Sequence, residues 1–303
     1  MARILVTDGI DQTAKKELVN LGHEVVEKHY EINELKEQVK EFDAMVVRSA
    51  TKVRKEVIDS ALEGKKLKLI IRAGVGLDNI DVNYAMEHGI TVNNTPNASS
   101  ASVAELAIGH MFALSRYIYI SNVTMRNGEW NKKQYKGIEL AGKTLGLVGF
   151  GRIAKETAKR AYSLGMKVIY TNRSGPKEGF DKYEYNSMED LLKKSDFISL
   201  HIPFNKEIGA VISDNEFEMM KNGVYLVNCA RGGVVDEKAL IKALDSGKVE
   251  ACAIDVYEEE PTKNEELYTH EKVSLTPHIG ASTKEAQKRI GEEIIDLIKK
   301  NFN

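Results

Sequence analysis

One six-residue turn, Gly149-Phe150-Gly151-Arg152-Ile153-Ala154, restricts the fold of this chain more than any other segment. It closes the apolar run Thr144–Val148 and opens a stretch where Ile153, Ala154, Thr157, Ala158, Ala161 and Leu164 recur at helical spacing, with Gly165 as the stop. A second strand-like run, residues 167–170, follows at the distance of a β–α–β unit. In the pattern G-x-G-x-x-A the first glycine permits a tight turn and the second lets a pyrophosphate approach the backbone. The small last residue lets the helix sit close to the strand. Exposed N–H groups at the helix start then favour a phosphate. Glycine-rich turns are common, so the weight rests on the strand–turn–helix–strand context, which points to a bound nucleotide.

The rest of the chain has the same rhythm. Residues 4–7, 24–27, 44–47, 67–71 and 90–93 read as short strands, separated by amphipathic pieces such as 13–21 and 34–42. A long helix is expected from Ser102, where Ser102-x-x-Glu105 has capping-box spacing, and a last helix from Ser282, where Ser282-x-x-Glu285 repeats it. Further strands are expected at 197–200, 224–227, 251–254 and 273–276. Alternating strands and helices imply parallel sheets covered on both faces. The expected architecture is α/β in two domains. Residues 97–281 form a nucleotide domain inserted into a domain made of 1–96 and 282–303, which the C-terminal helix closes.

The 43 basic and 45 acidic side chains give no electrostatic case for a nucleic-acid partner. Cys229 and Cys252 lie in apolar runs, as buried thiols of a reducing compartment would. Asp8 interrupts any signal-peptide core, and no apolar run approaches the roughly 18–20 residues of a membrane span. A soluble, cytoplasmic protein without a membrane or metal partner is expected.

Three of the later strands end in polar residues: Arg231 in Cys229-Ala230-Arg231-Gly232-Gly233, Glu260 before Pro261, and His278 after Pro277. In an open parallel sheet, ligands bind beyond the carboxyl ends of the strands, the edge where the Gly149 turn opens. Histidine is a suitable acid/base near neutral pH. A paired glutamate favours imidazolium and fixes the tautomer. Arginine can hold a carboxylate through two parallel bonds. Taken singly, each has a plainer reading: His278 as a turn residue, Glu260 as part of the solvated run 258–260, Arg231 as a loop cation. Their convergence at strand ends favours chemistry. His110 falls mid-helix, and His201 at most lines the cofactor groove.

These segments, with Val47-Arg-Ser-Ala-Thr-Lys-Val, Arg72-Ala-Gly-Val-Gly-Leu-Asp-Asn-Ile-Asp and Pro277-His-Ile-Gly-Ala-Ser-Thr-Lys-Glu-Ala-Gln, occur in an order that resembles the D-isomer-specific 2-hydroxyacid dehydrogenases. Within that family the resemblance is strongest to members acting on 3-phosphoglycerate. It implies two Rossmann/flavodoxin-like parallel-sheet domains, with His278 as acid/base, Glu260 as its partner and Arg231 as the carboxylate anchor. It places Arg48, Ser49, Arg72, Ala73, Gly74, Gly76 and Asn97 at the substrate, with Arg48 on its phosphate. It assigns the dinucleotide to Val75, Gly149, Gly151, Arg152, Ile153, Thr171, Asn172, Arg173, Ile202, Pro203, Cys229, Ala230, Asp255, Gly280 and Ala281. It also implies a homodimer or homotetramer built through the nucleotide domain, for which Trp130 and Tyr135 are interface candidates alongside ordinary packing.

Two departures stand out. About 20 residues past the fingerprint, where an acidic residue would bind the adenosine ribose, the chain has Tyr170-Thr171-Asn172-Arg173-Ser174. Those residues point to NADP(H) and the resemblance to NAD(H), so both stay open. After His278 the sequence ends within one helix, so a serine-sensing regulatory domain, and feedback through it, is not expected. Two rival functions remain: an NADP-dependent glyoxylate or hydroxypyruvate reductase, and a dinucleotide-sensing protein like the corepressors that share this fold.

Overall fold

Continuous runs of buried residues build both sheets. In the computed structural model, which describes residues 1–302, the strands β3 (Ala44–Val47), β9 (Phe197–Leu200) and β10 (Val224–Asn228) are buried along their whole length. Parallel strands covered by helices on both faces need such runs.

The chain divides into two compact units, Met1–Ser99 with Ala281–Asn303, and Ser100–Gly280. In the first, β1 (Arg3–Val6), β2 (Glu24–Glu27), β3, β4 (Leu69–Arg72) and β5 (Thr91–Asn94) form a parallel sheet in the order β2-β1-β3-β4-β5. Successive side chains point to opposite faces. Leu5, Met45 and Ile70 therefore pack on one face with Val57 and Ile58. Ile4, Val46 and Ile71 pack on the other with Ala14, Leu18, Ile290, Ile294 and Ile298. The C-terminal helix Lys284–Phe302 supplies those isoleucines and covers that face.

In the second unit, β6 (Thr144–Val148), β7 (Lys167–Thr171), β8 (Glu184–Tyr185), β9, β10, β11 (Val249–Ile254) and β12 (Val273–Leu275) run in the order β12-β11-β10-β9-β6-β7-β8, all parallel. This is the doubly wound order, whose strand sequence reverses between β6 and β9. Helices Ser100–Ser115 and Arg152–Ser163 cover one face through Ala107, Met111, Ala154, Ala158 and Ala161. The opposite face packs Leu191, Phe217, Leu240 and Leu244.

Several boundaries differ from expectation. The long helix begins at Ser100, two residues before the expected Ser102, which lies buried in its first turn. The last helix is capped by Thr283 and not Ser282: the Thr283 hydroxyl accepts from the Ala286 N–H at 3.1 Å. The units part at Ser99/Ser100 and Gly280/Ala281. Ala98 is buried in the first core, and its carbonyl accepts from Arg289 Nε at 2.8 Å. Gly280 is tied to the second unit by its N–H, which donates to Asp255. The short edge strand β8 was not expected. Among the described residues, no helix is long and apolar enough to cross a membrane.

Candidate active site

The turn after β6 shows two different uses of glycine. At Gly149, φ is +90°, and a Cβ would lie 2.5 Å from the His201 carbonyl oxygen, so the protein's own backbone excludes a side chain. At Gly151 a Cβ would meet no atom within 4 Å. The protein leaves that space open, as a pyrophosphate approaching the backbone requires. Gly151 also N-caps the helix Arg152–Ser163, so no side chain caps its first N–H groups. Ala154 is fully buried against the sheet. These features fit a dinucleotide.

At the end of β7, no carboxylate occupies residues 171–174. Asn172 Nδ2 donates to Ser174 Oγ at 2.7 Å, and Lys177 Nζ donates to the same oxygen at 2.8 Å. The Lys177 N–H donates to the Tyr170 hydroxyl, whose ring stacks on Phe150 at 3.9 Å. The loop is thus drawn together with Arg173 exposed and Lys177 beside Ser174. Sequence reading found Arg173 and missed Lys177, whose position depends on the loop doubling back.

Beyond β10–β12 lie the two residues expected to form the acid/base pair. His278 Nδ1 and Glu260 Oε2 are 2.7 Å apart, both partly exposed. Burial alone would raise the Glu260 carboxyl. The hydrogen bond and charge of His278, the Tyr257 N–H and the Arg231 charge outweigh it and hold Glu260 below the usual carboxylate range. With Nδ1 engaged by the carboxylate, Nε2 is the ring nitrogen left to exchange a proton. The His278 backbone sits at φ +53°, a left-handed conformation that costs roughly 1–3 kcal/mol for a non-glycine residue. Asp255 offsets that strain: Oδ1 accepts from the Ile279 N–H at 2.8 Å and Oδ2 from the Gly280 N–H at 2.9 Å.

Arg231 stands on the β10 loop, shaped by Asn228, which accepts from Ala230 N–H and donates to the Arg231 carbonyl at 3.0 Å. Gly232 is required there, since a Cβ would lie 1.7 Å from the Tyr257 carbonyl oxygen. That close approach joins the Arg231 loop to the loop carrying Glu260. Glu237, not singled out from the sequence, braces the latter: it accepts from Glu258 N–H at 3.0 Å and from Asn264 Nδ2 at 2.8 Å. Of the expected dinucleotide residues here, Cys229 and Asp255 are buried and Ala230 is partly exposed. Burial pushes the Cys229 thiol up, which disfavours the thiolate. Ile202 and Pro203 follow β9, next to His201, which desolvation lowers to about 4.

In the first unit, Arg48 and Ser49 follow β3 on a clamped loop. Asp8 accepts from the Arg48 N–H at 2.7 Å and the Thr51 N–H at 3.1 Å. Asn79 Nδ2 donates to the Arg48 carbonyl at 2.6 Å and the Thr51 carbonyl at 2.7 Å. Neither Asp8 nor Asn79 was marked as a site residue. The segment 72–76 follows β4, with the Ala73 N–H donating to the Val47 carbonyl and Asn94 Nδ2 to the Val75 carbonyl. Asn97 is exposed. Both loops lie at carboxyl ends of adjacent strands of that sheet.

Residues 108–280 match the family model described as D-isomer specific 2-hydroxyacid dehydrogenase, NAD binding domain. The chain belongs to the D-isomer-specific 2-hydroxyacid dehydrogenase family, and is a nicotinamide-dinucleotide-dependent oxidoreductase. It is 48% identical to a hydroxypyruvate reductase of Thermotoga maritima over 99% of this chain and 98% of that one. It is 47% identical to a D-3-phosphoglycerate dehydrogenase of Methanocaldococcus jannaschii over 99% of this chain, but spans only 57% of that relative's length. Among solved structures, a glyoxylate reductase from Paecilomyes thermophila superposes with a TM-score of 0.88 at 35% identity, covering 98% of this chain and 94% of the other.

Proposed function

We propose that the protein interconverts 3-phosphoglycerate and 3-phosphohydroxypyruvate. The His278–Glu260 pair, 2.7 Å apart with the Arg231 charge beside it, is the observation that carries the 2-hydroxy acid chemistry. Gly149–Ala154 would hold the dinucleotide, which when bound would supply the hydride chemistry. Arg231 binds the substrate carboxylate through two parallel bonds and so aims C2. His278 Nε2 takes the hydroxyl proton as the C2–H electron pair leaves, and Glu260 stabilises the imidazolium. In the reverse direction the same nitrogen returns the proton to the forming alkoxide. The clamped loop bearing Arg48 supports a phosphorylated substrate, because a guanidinium on a rigid backbone matches a phosphate with little loss of entropy.

A second reading is reduction of hydroxypyruvate or glyoxylate with NADPH. The absence of a carboxylate at 171–174, with Arg173 and Lys177 nearby, favours a 2′-phosphate there. The full-length likeness to the Thermotoga enzyme supports it too. In either reading a second copy docks on the helix Ile118–Arg126, which has no buried residue and exposes Ile118, Val123 and Met125 close in sequence to the exposed Trp130.

One steady-state matrix separates the readings: 3-phosphoglycerate, phosphohydroxypyruvate, hydroxypyruvate and glyoxylate, each with NAD(H) and NADP(H). The expected result is the highest kcat/KM on the phosphorylated pair, and a selective loss on that pair in Arg48→Ala. Equal loss on all four substrates removes Arg48 from the phosphate. Higher kcat/KM on hydroxypyruvate, with NADPH preferred, establishes the second reading instead.

A further inference from the structure

We propose that His110 is a positioning residue for His278, acting through Thr276 and Asp255. The proposal rests on His278 being the acid/base. His110 lies in the helix Ser100–Ser115 and is buried at 4% exposure. Its Nε2 is 3.1 Å from Thr276 Oγ1, a partner 166 positions away in sequence. Thr276 Oγ1 donates to Asp255 Oδ1 at 2.7 Å, which spends its only proton there. The same oxygen must therefore accept from His110, which fixes the proton of the neutral ring on Nε2. Nδ1 is then an acceptor, and the Ser274 hydroxyl lies 3.5 Å from it. Desolvation lowers the His110 pKa, in keeping with a neutral ring.

The bonds thus run in one direction, from His110 to Thr276 to Asp255, and Asp255 ends the relay on the turn that carries His278. Oδ1, which receives the Thr276 proton, also accepts the Ile279 N–H, and Oδ2 the Gly280 N–H. The Thr276 carbonyl accepts from the His278 N–H at 3.1 Å and from the Tyr257 hydroxyl at 2.9 Å. Thr276 therefore bears on the His278 turn directly through its backbone carbonyl, and through Asp255 by its side chain. An aspartate free to rotate would release the two N–H groups that hold His278 in its left-handed conformation. His110 removes that freedom by orienting the hydroxyl.

The test is a double-mutant cycle with His110→Leu and Thr276→Val, plus His110→Gln, read by steady-state kinetics and dinucleotide binding. Leucine keeps the volume and removes the donor, and kcat is expected to fall about tenfold, a larger factor than any change in KM or dinucleotide affinity. Glutamine keeps a donor amide and restores most of kcat. Thr276→Val gives a similar loss, and the double variant loses no more than either single one, because the two groups act in series. Wild-type kcat in His110→Leu, or losses that add in the double variant, overturns the proposal. So does a fall in kcat that glutamine fails to rescue. His278→Gln run in parallel tells the failures apart: if it keeps turnover, the acid/base reading falls and this proposal with it.

Discussion

His278→Gln is expected to lower kcat by about 100- to 10,000-fold, the usual worth of a positioned general acid/base, with dinucleotide affinity retained. Glutamine keeps a polar amide at about the place of Nε2, opposite the Nδ1 that lies 2.7 Å from Glu260, but has no nitrogen that can take and return a proton. The alkoxide must then form without a proton acceptor. Because the lost interaction belongs to the transition state, kcat and kcat/KM should fall together. Residual activity would come from alignment of the hydride donor and acceptor, which the variant leaves intact. Steady-state kinetics with fluorescence titration of the reduced dinucleotide checks both halves. Undiminished turnover would remove His278 from the chemistry, and lost dinucleotide binding would mark it as structural.

Arg231→Ala should do comparable damage by a different route. Two charge-assisted bonds to a carboxylate are worth roughly 3–6 kcal/mol, about a hundred- to ten-thousand-fold in kcat/KM. The carboxylate is common to every 2-hydroxy and 2-oxo acid, so the loss should be similar on all four substrates of the matrix. Arg231→Lys keeps the charge and loses the planar fork, and should fall between. The substitution also removes one of the charges that offset the burial of Glu260 and hold its carboxyl low. The carboxyl should therefore protonate at a higher pH in Arg231→Ala, moving the acid limb of the rate profile upward. A loss confined to one substrate, or none, would show that Arg231 does not hold the shared carboxylate.

Local features of this molecule were legible in the sequence wherever a short segment carries its own cause. The strand ending at Val148 and the glycine turn after it follow from one hydrophobic run and one backbone requirement. The strands at Glu24–Glu27, Ala44–Val47 and Phe197–Leu200 coincide with their apolar runs. Strand β8 has two residues and no such run, so periodicity carries no trace of it. The cap of the last helix moved by one residue because Ser282 and Thr283 offer equivalent hydroxyls, and only tertiary packing chooses between them.

Of the candidate site, the sequence singled out the residues that carry reactive groups: Arg231, Glu260 and His278. The residues that brace the loops around the site were given no role there. Asp8 and Asn79 clamp Arg48 from 40 and 31 positions away, and His110 reaches Thr276 across 166. No spacing rule links such pairs, since the sheet order brings them together. Glu237, at the start of a helix, has the look of a surface first-turn acid. Its burial follows from the doubling back of the loop after β11.

The most direct measurement follows a labelled hydride. Unmodified protein is given 3-phosphoglycerate deuterated at C2, in its D and L forms, with each oxidised dinucleotide, and the products are analysed by mass spectrometry. The expected result is deuterium on the reduced nicotinamide ring in equal amount to phosphohydroxypyruvate formed, from the D form alone. Reduced dinucleotide without the label, or no reduction by any D-2-hydroxy acid while the dinucleotide binds, would contradict hydride transfer at the His278–Glu260 site.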